Sequence, residues 1–119
     1  MVAIEGDGGF HYNCTDLATA VMEKLPIIVV VMNDGYYNAN RQIANYLFEG
    51  RQVWTQLNNP DWVALAKSFG AEAERAEDPE GFRAALRRAL KSEVPYVIDT
   101  IIDRDVPTPI TGKLWKIRW

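Results

Sequence analysis

A chain of 119 residues carries about one domain's worth of sequence, and its 48% hydrophobic and 24% charged residues are the balance of a folded globular domain. A formal net charge of −3 argues against a general nucleic-acid or anionic-membrane binder. One cysteine, Cys14, excludes an internal disulfide, and one histidine, His11, excludes a Cys/His zinc cage.

Val2 to Glu5 is a short apolar stretch stopped by Gly6-Asp7-Gly8-Gly9, which predicts a strand ending in a glycine turn. Asn13 or Thr15 can then cap a helix whose Leu17, Val21 and Leu25 form one stripe, ended by Pro26. Ile27 to Met32 is a mostly β-branched run without polar alternation, as expected of a strand buried on both faces, and Asn33-Asp34-Gly35 stops it. A helix from about Asn40 to Phe48 places Ile43 and Leu47 on one stripe. Asn59-Pro60 reads as the cap and first residue of the next helix, with Val63, Ala66 and Phe69 as its apolar face and Gly70 at its end. A weak strand, Ala71 to Ala76, follows. Asp78-Pro79 then opens a helix striped by Phe82, Leu86 and Leu90, and Pro95 to Ile102 is the last strand. The order β-α-β-α-α-β-α-β implies an α/β fold: a mostly parallel sheet with helices on both faces. The first strand begins almost at once, and we expect sequence to be missing upstream of it. The longest apolar run, Leu25 to Met32, is far short of the roughly 18 residues of a membrane span. Met1 to Glu5 lacks the layout of a signal peptide, so the cytoplasm is the default compartment.

In an open parallel sheet, ligands gather outside the carboxyl ends of the strands. Two such ends carry oxygen ligands here: Asp7 after the first strand, and Asn33-Asp34 after the second. One helix and one strand lie between them, enough for a crossover that brings the two ends together if the strands are neighbours. Carboxylates, an amide oxygen and a loop carbonyl suit a hard cation such as magnesium, whose coordination is commonly completed by substrate phosphates and water. Gly8 and Gly9 let backbone N–H groups approach a diphosphate closely, just before a helix N-terminus. Either motif alone is more often a plain turn than a metal site. Two of them, each after a strand and one crossover apart, point to a diphosphate held by magnesium.

Gly6-Asp7-Gly8, with Asn33-Asp34 after a helix and a buried strand, resembles the cofactor motif of thiamine diphosphate-dependent enzymes. Asn13 to Ala20, Leu25-Pro26, Arg41-Gln42, Asn59 to Val63 with Phe69-Gly70, and Glu77-Asp78-Pro79 resemble the acetolactate synthase-like branch. The resemblance covers nearly the whole chain. It implies that Gly6, Asp7, Gly8, Gly9, Asn33, Asp34 and Tyr36 bind the cofactor. Asp7, Asp34 and the Tyr36 backbone carbonyl would be the metal ligands, and the Tyr36 to Asn40 loop would lie beside the thiazolium ring and substrate. It also implies a partial thiamine diphosphate-binding domain over residues 1–105, followed by a C-terminal tail over 106–119. The intact enzyme would decarboxylate a 2-oxo acid and pass the two-carbon unit to an acceptor. The alternatives are a 2-oxo acid decarboxylase or carboligase domain, or a non-catalytic cofactor-binding or interaction module.

Two features depart from the family pattern, and a third bears on the branch. Asp34 puts a carboxylate where the family has an amide, and Asn33 with a shifted loop is the other candidate ligand. Simple pyruvate decarboxylases carry an acid a few residues into the following loop, whereas Asn38-Ala39-Asn40 offer none. The family also joins this domain to a pyrimidine-binding domain whose glutamate contacts the aminopyrimidine, generally across a subunit boundary in a homo-oligomer. Nothing here resembles that domain, so the chain reads as a fragment or truncated copy that is inactive alone, and no catalytic residue is assigned. His11 could reach cofactor or substrate, though a hydrogen-bonded histidine at a helix entrance is the preferred reading. Cys14 reads as a small core residue, and Tyr36 and Tyr37 as pocket or packing residues. Lys113 to Trp119 reads as a tail that packs on its own domain or on missing sequence, with an edge strand or a docking segment as alternatives.

Overall fold

Ile28 to Val31 of the apolar run are all buried, and they form the centre of a four-stranded sheet. The structure is a computed structural model that describes residues 1–106; the Lys113 to Trp119 segment and nearly all of the expected tail lie outside the described residues. The strands are β1 (Val2–Gly6), β2 (Ile28–Asn33), β3 (Glu72–Ala76) and β4 (Tyr96–Ile101). The helices are α1 (Asp7–Asn13), α2 (Asp16–Met22), α3 (Asn38–Leu47), α4 (Trp62–Ser68) and α5 (Pro79–Ala89). The sheet runs in the order β1-β2-β4-β3 and every pairing is parallel, with Val29 opposite Val97 and Val31 opposite Asp99.

Period-two alternation sorts the side chains of β2 and β4 onto two cores. Val29, Val31 and Val97 meet Phe10, Leu17, Trp62 and Ala66 on one face. Ile28, Val30 and Ile98 meet Ala85 and Ala89 of α5 on the other. Trp62 is fully buried, and its ring packs edge-on against Phe10 with centroids 4.9 Å apart. β1 is an edge strand paired only with β2, and its Val2 and Ile4 are exposed. Among the described residues no helix is long and apolar enough to cross a membrane.

Several local expectations change. The glycine turn after β1 is the first turn of α1, because Gly6 stands at the N-cap in extended geometry and Asp7 starts the helix at once. An acidic side chain in a first turn is favoured by the helix dipole. Thr15 precedes α2 but makes no capping hydrogen bond. Lys24, at φ 52°, ends that helical segment, which leaves Leu25 beyond it and exposed. Asn59 is not the cap of α4; Asp61 is, accepting from the N–H groups of Val63 and Ala64. In α3, Ile43 and Leu47 face outward while Gln42 and Ala44 are buried. The side chains of Asn38 and Arg41 donate to the Arg104 carbonyl at 3.1 and 2.9 Å and fix the rotation of that helix. Leu90, expected on the stripe of α5, caps that helix and is exposed.

Candidate functional site

β1 and β2 are neighbours, so the residues that follow them share one end of the sheet. A pocket of about 360 Å³ opens there, lined by Asp7 and Gly8 of α1, Asp34 and Tyr36 of the turn after β2, and Asn38 and Gln42 of α3. Gly6 and Gly9 also line it. Of the expected cofactor residues, only Asn33 is not part of its wall.

Asp7 is 1% exposed, so its carboxylate depends on protein donors. Oδ2 accepts from the Gly35 N–H at 2.8 Å and from Asn59 Nδ2 at 2.6 Å, while Oδ1 accepts from the Gly8 N–H at 3.0 Å. These are neutral donors, and an ionised carboxylate has about four lone-pair directions, so Oδ1 retains acceptor capacity. Asp34 accepts from the Tyr36 N–H at 2.9 Å, which shapes the turn. Burial pushes the Asp34 carboxyl above its ordinary range, the Tyr36 N–H opposes that shift, and the nearby charge of Asp7 adds to it. Two carboxylates on one pocket wall are a donor pair suited to a hard divalent cation. Among the described residues no group of three or more His, Cys, Asp and Glu side chains could hold a metal, so any cation here needs other oxygen donors as well. No backbone N–H among the described residues donates to the Tyr36 carbonyl.

Asn33 is engaged elsewhere. Its Nδ2 donates to Asp99 Oδ1 at 2.8 Å and its Oδ1 accepts from Asn59 Nδ2 at 2.9 Å. Asp99 is completely buried, and its second oxygen accepts from Arg75 Nε at 2.9 Å. The two tyrosines serve packing and pocket together. The Arg41 and Arg104 guanidiniums each lie over the Tyr36 ring, at 5.3 and 5.2 Å from its centroid. The Tyr37 ring covers Gly8 so closely that a Cβ there would meet its Cε1 at 2.5 Å. His11 forms a 2.8 Å hydrogen bond with Asn59 Oδ1 and packs edge-on against Trp62, so it is a hydrogen-bonded histidine outside the pocket wall. Cys14 packs against the Trp62 core.

Sequence reasoning missed Asn59, Asp99 and Arg75. Asn59 was masked by Pro60, since Asn-Pro is a common helix entrance. An acid within the apolar Tyr96–Ile101 run is the one signal that pointed to Asp99.

The C-terminal TPP binding domain of thiamine pyrophosphate enzymes matches residues 1–100. The chain is 37% identical over 105 residues to an acetolactate synthase of Bacillus subtilis (strain 168), covering 87% of this chain and 18% of that protein. It is 33% identical over 121 residues to a probable acetolactate synthase large subunit of Methanocaldococcus jannaschii, covering 98% of this chain and 20% of the relative. Among solved structures it is similar to the thiamine diphosphate-dependent 4-hydroxybenzoylformate decarboxylase of Rhodococcus jostii RHA1, with TM-score 0.78 and 28% identity over 87% of this chain and 20% of that one. The chain thus spans about a fifth of the length of these relatives. A four-stranded parallel sheet of matching shape and a family match over residues 1–100 lead to one conclusion: this chain belongs to the thiamine pyrophosphate enzymes and corresponds to their C-terminal TPP-binding domain.

Proposed function

We propose that the chain binds thiamine diphosphate through magnesium, as the C-terminal domain of an acetolactate synthase-like enzyme acting on 2-oxo acids. The observation that carries this reading is the pairing of Asp7 and Asp34 on one pocket wall, with only neutral donors on the buried Asp7 carboxylate. Asp7, Asp34 and the Tyr36 carbonyl would hold the metal, and Gly6, Gly8 and Gly9 would border the diphosphate. Both polar groups of Asn33 are already bonded within the protein, which favours Asp34 over Asn33 as the ligand. Asn33 then serves the cofactor through its neighbours.

When bound, thiamine diphosphate supplies an electron sink for cleaving the bond between the carboxyl and carbonyl carbons of a 2-oxo acid. This chain's residues would fix its diphosphate end and shape the pocket beside it. Activity would need a pyrimidine-binding domain from elsewhere in the protein or from another subunit of a homo-oligomer. The exposed apolar residues of β1 and of the α3 region, among them Ile4, Leu47 and Trp54, are suited to such a contact. A decarboxylase is the second reading, favoured by the likeness to the Rhodococcus enzyme. The absence of an acid at Asn38-Ala39-Asn40 weighs against it.

Calorimetric titration with thiamine diphosphate in the presence and absence of Mg²⁺ tests the assignment. Asp7→Ala removes a charged ligand from a site with few protein ligands and is expected to abolish metal-dependent binding. Unchanged affinity in that variant would refute it.

A further inference from the structure

The Asp7 carboxylate owes its orientation to a residue 52 positions away in sequence. Asn59 has one amide group, and every hydrogen-bonding atom of it is used. Its Nδ2 donates to Asp7 Oδ2 at 2.6 Å and to Asn33 Oδ1 at 2.9 Å, so a single NH₂ group bridges the residues that follow β1 and end β2. Its Oδ1 is bonded to His11 Nε2 at 2.8 Å.

These partners determine which way the amide points. The reverse orientation would set Asn59 Oδ1 against a carboxylate oxygen and an amide oxygen, two acceptors that cannot donate back. His11 Nε2 therefore carries a proton and donates it to Asn59 Oδ1. The imidazole is held in turn by its edge-on contact with the Trp62 ring, at 4.8 Å and 74°. Trp62 is 0% exposed within the larger core. A continuous line of contacts thus runs from the core through Trp62, His11 and Asn59 to Asp7.

We propose that Asn59, locked by His11, is the positioning residue that sets the Asp7 carboxylate for metal binding. The inference rests on the reading of Asp7 as a metal ligand. Two donors on Oδ2, Asn59 and the Gly35 N–H, fix the carboxylate plane and leave Oδ1 with Gly8 as its single donor. With Asn59 gone, Oδ2 keeps one donor and the carboxylate gains rotational freedom. Groups that orient a ligand in this way typically govern metal affinity by about 10- to 100-fold.

The test is Mn²⁺ binding to the full chain in the presence of thiamine diphosphate, followed by the EPR signal of free Mn²⁺. Melting temperatures are measured in parallel without metal. Four variants are compared: Asp7→Ala, Asn59→Ala, His11→Phe and His11→Gln. Phenylalanine keeps a ring against Trp62 but cannot donate to Asn59, whereas the glutamine amide can. We expect Asp7→Ala to abolish binding and Asn59→Ala to weaken it at least about tenfold. His11→Phe should weaken it in the same direction, and His11→Gln should restore most of the loss. A purely structural role for Asn59 would lower the metal-free melting temperature and leave Mn²⁺ affinity intact, which would overturn the proposal. Full affinity in Asp7→Ala would instead overturn the metal-site reading beneath it. If Asn59→Ala does not melt cooperatively, the two His11 variants decide: equal affinities in both overturn the proposal, and a loss that only glutamine restores supports it.

Discussion

Gly8 is required by its neighbour rather than by its backbone, and that can be measured. It lies in the first turn of α1 without a positive φ, so alanine would fit the backbone and gain up to about 1 kcal/mol of helix propensity. Opposing this, a Cβ at position 8 would lie 2.5 and 2.6 Å from two carbons of the Tyr37 ring. Ordinary carbon contacts are about 3.5–4.0 Å, so the ring must retreat by roughly 1 Å. Retreat is costly because the Tyr37 N–H is bound to the Thr55 carbonyl at 2.7 Å and its hydroxyl to that of Tyr12 at 3.2 Å. Overpacking of this kind costs about 1–3 kcal/mol, so Gly8→Ala should be neutral to destabilising by about 2 kcal/mol. In a Tyr37→Ala background the clash vanishes, and the same change should stabilise by up to about 1 kcal/mol. The coupling energy of the cycle is then about 1–3 kcal/mol. Urea denaturation of the four chains at constant slope gives it directly. Equal stabilisation by Gly8→Ala in both backgrounds would refute the close-approach explanation.

Asp34→Asn keeps an oxygen for the Tyr36 N–H and removes one of two mutually repelling charges. It should retain metal-dependent cofactor binding in calorimetry and raise the metal-free melting temperature; loss of binding would show that the second carboxylate is essential. Arg75→Met leaves the fully buried Asp99 with Asn33 as its remaining side-chain donor, and should cost about 2–3 kcal/mol in urea denaturation. That is below the range of about 3–5 kcal/mol for breaking a fully buried pair, because the Arg75 side chain is 43% exposed. Glu74 is bonded by Arg88 through both oxygens and by the Tyr96 hydroxyl, and Arg88 foremost holds its carboxyl below the ordinary value. A depressed carboxyl stabilises the fold above its unfolded pKa and loses that contribution as pH falls through the folded one. The acid limb of stability, below about pH 4.3, should therefore be shallower in Glu74→Gln, and an unchanged limb would contradict the sign.

What was legible in the chain is what is written in short range. Ile28 to Val31 are β-branched without interruption, and a strand of that composition has to be covered on both faces, which leads to an α/β layer fold. Asp7 and Asp34 stood out as candidates because each directly follows a strand, at the sheet end where ligands gather. The period of α3 was legible too, but its facing was not. Ile43 and Leu47 are spaced for burial, yet the Arg104 carbonyl holds Asn38 and Arg41 and turns that stripe outward. Asp-Gly-Gly reads equally as a turn and as a helix start, and the extended Gly6 decides for the helix. Asn59 was out of reach, because its partners His11, Asp7 and Asn33 are 48, 52 and 26 residues away. Periodicity carries no information about contacts of that separation.

Two buried acids toward the carboxyl end of this sheet differ in a way that supports assigning one to the proposed ligand site and the other to the scaffold. Asp99 is fully buried, but Arg75 stands beside it on β3 and supplies a full positive charge. Its electrostatic account closes within the protein. Asp7 is as deeply buried, yet its donors are two backbone N–H groups and the Asn59 amide, all neutral, and the acidic Asp34 on the same pocket wall feels its charge. Neutral donors orient a carboxylate and lower the cost of its burial without cancelling its charge. A cation bound at the proposed site would supply what the chain withholds. Asn33 connects the two arrangements, donating to Asp99 with its Nδ2 and accepting from Asn59 with its Oδ1. Through Asn33 and Asn59 the closed pair on β3 and β4 is thereby linked by hydrogen bonds to Asp7 at the start of α1. A metal held at the proposed site by so few protein ligands would need such support, because each ligand has little freedom to be misplaced.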